Sequence, residues 1–466
     1  MKKALALALA LVSSLTAVIP PARAGSPEAP GQVAGKLIEF NDNGAWCWYQ
    51  DERALVDKAR GRLIVGSVAS KAGAGGATRD GNVEAVIYDL KTSSKQISVL
   101  TTGEAHRFGC DDHDAPAFFI RPDGKYVAFY TGHNKDHFTY YRVYSGDAWG
   151  PEQAFDWSSR PGGANFPTTY SNPHYLPAEG RLYNFARGSG HGSQNIMLST
   201  NLGDTWAYAG EMTTNANVGY VNGYFRYHDD GERIDFICTE FHPRDFNTSI
   251  YHGYIRDGRA FNSAGIVVNS NIFGPSAVTP QSFTTVFPAN TVLPPGQTNS
   301  HCWNIDTRRF PDGSIAALVS TRVNDTGPQP ARDPDHAFFY CRYDGHQWVS
   351  TYLGNAGKKL FASEQDYTGL GALSPDNPTT IYISTPYDPR DGATFLGVHE
   401  IFKGVTADHG ATFVWTPVTK HSTRDNLRPI VPAWDKDHTA LLWWRGTSFT
   451  SQRYDAAIVG LISGRE

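Results

Sequence analysis

His113 and His133 stand ten residues on either side of Asp123, inside the turn tripeptide PDG at 122–124. In an antiparallel hairpin, residues equidistant from the turn face each other across the strands. The two imidazoles are therefore expected side by side at the open end of that hairpin. The same construction pairs Tyr170 with Arg187 about 178–179, Tyr220 with His242 about Gly231, and, nearly, His301 with Arg322 about Asp312. Imidazole is the side chain most easily poised for proton transfer near neutral pH, and a perturbed tyrosine can serve as acid or base. Arginine forks two hydrogen bonds onto a carboxylate. One reaction uses all three groups: β-elimination in a uronate-containing polysaccharide. There the C5 proton, α to a carboxylate, is too weakly acidic to leave until the carboxylate is neutralised.

Hydrolysis is the main competing chemistry. It needs two carboxylates roughly 5–9 Å apart, and Asp111, Asp112 and Asp114 surround His113. Alternating positions on a strand point to opposite faces, so Asp112 and Asp114 are expected off the face of His113, leaving Asp112 to orient a histidine or cap the turn. Glu240 and Asp366 keep hydrolysis open. No Gly-x-Ser-x-Gly elbow supports a serine nucleophile. Five cysteines, Cys47, Cys110, Cys238, Cys302 and Cys341, are too few and too scattered for a disulfide framework. His301, Cys302, His336 and Cys341 form a candidate metal set if neighbouring strands bring them together; buried unpaired thiols are the plainer reading. Catalysis of the kind described needs no cofactor, and a structural Ca2+ or Zn2+ is left open.

Elements that could position these residues are legible as a repeat. Turn signals recur at 58–61 (KARG), 122–124 (PDG), 177–180 (PAEG), 229–231 (DDG), 311–313 (PDG), 375–377 (PDN) and 434–437 (WDKD), each followed by a β-rich run. Seven hairpins at roughly 60 residues per unit suit four-stranded blades with long loops. Two further segments, STNLGDTW at 199–206 and TADHGATF at 406–413, resemble the Asp-box, a turn between outer blade strands, and Trp149 and Trp348 end weaker relatives of it. The expected fold is all-β, a seven-bladed β-propeller. Open ends of the inner hairpins then converge on one face around the central channel, which gathers the His, Tyr and Arg side chains into one groove.

The chain has 466 residues, 13% of them aromatic, and a net charge of −5. Residues 1–24 read as a signal peptide, with Lys2 and Lys3 before an apolar run and Ala22, Arg23 and Ala24 as the cleavage site. Residues 25–466 are then a single catalytic propeller domain carrying 38 basic and 46 acidic residues, a net charge of −8. No basic run points to nucleic acid, and no later segment is long and apolar enough for a membrane helix. The expectation is a soluble monomer, secreted or periplasmic, whose few cations gather in one groove for an acidic polysaccharide.

At these residues the chain resembles the BNR-repeat propeller polysaccharide lyases, which include ulvan lyases and lyases of rhamnosyl–glucuronate linkages. The matching segments are DDHDAPA at 111–117, TGHN at 131–134, TTYSNP at 168–173 and FARG at 185–188, followed by TEFHPRD at 239–245, DYTG at 366–369 and DNLRP at 425–429. The resemblance implies that His113 and His133 are paired active-site histidines, Tyr170 a catalytic tyrosine and Arg187 the carboxylate-binding arginine. It also implies Tyr224 and His242, with Arg244, as the rest of the uronate subsite, with Tyr224 where the mirror construction picks Tyr220. His301 and Arg322 complete the candidate substrate-binding set. Two alternatives stand beside the lyase. One is a sialidase-like hydrolase drawing on Arg187, Arg322, Arg428 and Arg445; the other is a non-catalytic sugar-binding propeller whose aromatics stack on sugars.

Overall fold

The computed structural model describes residues 31–160, 166–188, 194–214, 223–293, 295–325 and 333–464. The signal-peptide reading at 1–24 and Tyr220 lie outside these residues. Seven antiparallel sheets form the blades of a β-propeller. All seven predicted turns are inner-hairpin turns: Ala54–Asp57 with Arg62–Val68, Ala117–Ile120 with Tyr126–Tyr130, Thr169–Leu176 with Arg181–Arg187, and Phe225–Asp229 with Ile234–Thr239. Gln297–Arg309 with Ile315–Val323, Gly371–Leu373 with Thr380–Tyr387, and Asp425–Ile430 with His438–Thr450 complete the ring. These pairs define blades one to seven. Blade seven takes its outer strand from the other end of the chain, Ile38–Asn41, which pairs with Arg453–Gly464. This closes the ring and leaves no open edge between first and last blades.

Both Asp-box turns adopt one geometry. In blade three the backbone N–H of Gly203 donates to Ser199 Oγ and that of Thr205 to Asn201 Oδ1. In blade six Gly410 donates to Thr406 Oγ1 and Thr412 to Asp408 Oδ1. The amide of Asn201 thus takes the acceptor role of Asp408, and its Nδ2 donates to the Thr205 hydroxyl.

Residues 45–53 (AWCWYQDER) run through the middle of the ring. Ala45 bridges Val68 of blade one, and Cys47 donates its N–H to the Asp112 carbonyl ahead of blade two. Trp48 donates to the Thr368 carbonyl before blade six and meets Trp444 of blade seven edge-on at 5.0 Å. Tyr49 stacks on Trp303 of blade five at 4.2 Å. Asp51 holds His174 of blade three and accepts from the Tyr227 N–H of blade four. Nearly all of this segment is buried, with Trp46, Cys47 and Trp48 at 1% exposure or less. It fills the central channel with aromatic surface and ties all seven blades together. Its Cys47 end underlies the histidine pair, and its charged end, Asp51 to Arg53, lines a second pocket at the far mouth of the channel.

Candidate active site

His113 and His133 do meet. Their rings stack at 3.9 Å between centroids and 14° between planes. One carboxylate joins them: Asp111 Oδ1 lies 2.7 Å from His113 Nδ1, and Asp111 Oδ2 lies 3.0 Å from His133 Nδ1. Gln452, on the hairpin tip of blade seven, donates to the same Oδ2 at 2.6 Å. Asp114 accepts the backbone N–H of His133 at 2.6 Å. The strand alternation expected around His113 is absent. Asp112–Asp114 is one turn of 3-10 helix capped by the Asp111 side chain, and Asp112 Oδ1 sits 2.8 Å from His113 Nδ1. Asp112 therefore shares the environment of His113 instead of facing away, and the orienting role belongs to Asp111 as well.

The two imidazoles are pushed in opposite directions. Burial disfavours the charged form of His113, but the surrounding negative groups, Asp111 and Asp112 among them, outweigh it and hold its pKa well above the usual value. Burial and then the neighbouring His113 charge push His133 down to about 4. At neutral pH the pair is one cation and one neutral base. With Nδ1 of His133 donating to Asp111, its Nε2 carries the lone pair.

Tyr170 extends the stack, its ring 5.7 Å from that of His113. Its hydroxyl lies 3.8 Å from Cys47 Sγ, and burial keeps the phenol protonated by raising its pKa. The Arg187 guanidinium carbon lies 4.5 Å from the centre of the Tyr170 ring and 5.0 Å from that of Tyr224. Tyr224 Oη is 3.3 Å from His242 Nε2. Burial, then the charges of Arg244 and Arg187, holds the His242 pKa well down, so this imidazole is neutral. Among the described residues, His113, His133, Tyr224, His242 and Arg244 line one small cleft, joined by Phe361, Glu364, Tyr367, Ser451 and Gln452.

A recurrent backbone device aims these side chains. Tyr170, His301, Leu370 and Arg428 all have left-handed backbone, with φ of 71°, 50°, 59° and 53°. Tyr170, His301 and Arg428 lie within the first strands of blades three, five and seven, and Leu370 immediately precedes that of blade six. In blades three, five and seven the pairing slips there, between Thr169 and Asn172, Ser300 and Trp303, and Leu427 and Ile430. A bulge with a strained residue bends the strand end towards the axis, a conformation kept only where surrounding structure enforces it.

His301 and Arg322 adjoin the site without completing it. The Arg322 side chain is fully buried and clamps Asp366, Nη2 to Oδ2 at 2.9 Å, while also reaching Asp325. His301 Nδ1 faces the Pro243 carbonyl. The proposed metal set is not assembled. His336 has Nδ1 on the Gly357 carbonyl and Nε2 on Asp366, whereas Cys302 and Cys341 are buried in an apolar cluster that drives both thiols above their ordinary range. All five cysteines are free. The carboxylates that kept hydrolysis open are also engaged: Asp366 by Arg322 and His336, and Glu240 by the Ser249 backbone N–H, which donates to Oε2 at 3.0 Å, and by the Tyr251 hydroxyl. Arg428 donates to the carbonyls of Cys47 and Gln50 in the central segment, so no arginine triad of the sialidase kind forms from it and Arg322.

Gln452 and Glu364 are among the members of the site that sequence reasoning did not single out, and Asp111 was weighed only as a hydrolytic carboxylate. The contact of Gln452 with Asp111 spans 341 residues, beyond the reach of any local pattern.

Among solved structures, an ulvan lyase of polysaccharide lyase family PL25, bound to -[GlcA(1-4)Rha3S]-, is similar over 92% of this chain and 96% of its own, at 15% identity and a TM-score of 0.63. The polysaccharide lyase Uly1 is similar over 93% of this chain and 100% of its own, at 11% identity and a TM-score of 0.52. At such identities the likeness is one of fold. No curated protein matches the sequence. Residues 48–356, from the central segment through blade five, match the model of the BNR repeat-containing family, and the chain belongs to that family.

Proposed function

We propose that this protein is an exported polysaccharide lyase that cleaves a uronate-containing polysaccharide, of ulvan or rhamnosyl–glucuronate type, by β-elimination. The observation that carries this reading is the stacked His113–His133 pair on one Asp111 carboxylate, with Tyr170 and Arg187 packed beside it. The fold shared with an ulvan lyase supports it.

In this scheme Arg187 neutralises the uronate carboxylate, and neutral His242 adds a hydrogen bond. His133 Nε2 takes the C5 proton, the C4–O bond breaks as the C4–C5 double bond forms, and the Tyr170 phenol protonates the departing oxygen. Cationic His113 stabilises the enolate-like charge from its place in the stack. No cofactor enters these steps. The partner is the acidic polymer, met by a monomer outside the cytoplasm, with neither nucleic acid nor membrane involved.

The test is incubation of the purified protein with a panel of uronate polysaccharides, reading the ultraviolet absorbance of an unsaturated uronate. The expected result is a rise with at least one polymer that Tyr170→Phe and Arg187→Ala each abolish. Undiminished activity in both variants would overturn the assignment.

A further inference from the structure

The cleft beside the histidines is unusual in its charge balance. Arg244, which lines this cleft with His242, is already engaged. Its Nη1 lies 3.2 Å from Glu364 Oε1 and 3.3 Å from Oε2, and its Nε lies 3.2 Å from Asp245 Oδ1. Arg322, the other cation expected for substrate, is buried against Asp366 and Asp325. His242 is neutral, and the charge of His113 faces Asp111 and Asp112. Among the described residues that line the cleft, each cation already faces a carboxylate, which leaves none for an anionic substituent on a neighbouring sugar.

Glu364 is built into this position. Its N–H donates to the Phe361 carbonyl, and the Leu360 N–H closes the loop on the Tyr367 carbonyl at 2.9 Å. Phe361 and Tyr367 pack on Trp48 of the central segment, at 5.9 and 4.9 Å. The loop is thus anchored on the core, and the carboxylate it presents to the cleft is half-buried with Arg244 as its counter-charge.

We propose that Glu364 sets the charge selectivity of the cleft: by engaging Arg244, it makes the position next to the reacting uronate take a sugar without sulfate or other anionic substituent. A sulfate placed there meets an acidic side chain at close range and finds its natural counter-ion already paired. Like charges so placed are strongly unfavourable. The preferred polymer is then unsulfated, with the uronate as its acidic group. This inference rests on the lyase reading.

The test compares kcat/KM on a matched pair, a rhamnose–glucuronate polymer carrying 3-sulfate and the same polymer after chemical desulfation. The wild-type protein is expected to favour the desulfated polymer by roughly tenfold or more. Glu364→Gln should lower that preference about tenfold, through KM for the sulfated polymer, and Glu364→Asp should restore it. Wild-type preference for the sulfated polymer, or a ratio unmoved in a Glu364→Gln protein that melts normally, overturns the proposal while leaving the lyase reading in place. Cleavage of neither polymer removes both. Should Glu364→Gln fail to fold, the wild-type ratio alone decides.

Discussion

Asp111 holds two imidazoles with one carboxylate, and their difference in charge comes from how many acids each one sees. His113 has two carboxylates within 2.8 Å; His133 has one, and a cationic neighbour. A general base must be unprotonated, so activity that depends on His133 is present above pH 4 and falls as pH drops through its pKa of about 4. The alkaline side should fall when His113 loses its proton, above the ordinary histidine range. A kcat/KM–pH profile checks both limbs. In Asp111→Asn the alkaline limb should move to lower pH, because the charge that holds the His113 proton is gone. His133→Ala should lower kcat by roughly 10²–10⁴-fold, the ordinary worth of a positioned base. The pairing of these histidines was legible from their symmetric distances about Asp123. The roles of Asp111 and Asp112 were not, because a strand was expected where the backbone makes a 3-10 turn.

The elements that matter most are the seven inner hairpins and the segment threaded between them. All seven hairpins could be read from Gly, Pro and Asp turns because a turn is a local choice of backbone angles. The mirror construction was off by one residue for Tyr170 and for His301, since Thr169 pairs with Arg187 and Ser300 with Arg322. A bulge adds a residue to one strand without leaving a mark in the sequence. Nothing local announces the central segment either. Trp46, Trp48 and Tyr49 look like strand residues, and only a closed ring supplies the seven-sided cavity that buries them. Trp48 packs on Phe361, Tyr367 and Trp444, and Trp48→Ala should cost about 3–5 kcal/mol of stability. Denaturant unfolding measures this. A loss below about 1 kcal/mol would mean the blades hold together without the segment.

Across the described residues, Ile38–Asn41 and Arg453–Gly464 pair in blade seven, and the axis is pinned at both mouths. At the far mouth His174 is buried between Asp51 and Asp229, with Nε2 2.8 Å from one carboxylate and Nδ1 2.7 Å from the other. Burial opposes its charge, and the two acids outweigh it, pushing the pKa up to about 9. A raised folded-state pKa gives stability that is complete below the unfolded value near 6.5 and lost as pH rises through about 9. The loss is up to roughly 3 kcal/mol. Thermal melting from neutral to alkaline pH should show this decline, and His174→Gln should flatten it. The propeller, its closure and its acidic surface are scaffolding for one groove, and the central claim concerns the bond broken there. Mass spectrometry of oligosaccharides released in heavy-oxygen water tests it most directly. A lyase gives an unsaturated terminal uronate, one water lighter than a hydrolysis product and free of heavy oxygen. Saturated products that carry the label would contradict the β-elimination proposed for His133, Tyr170 and Arg187.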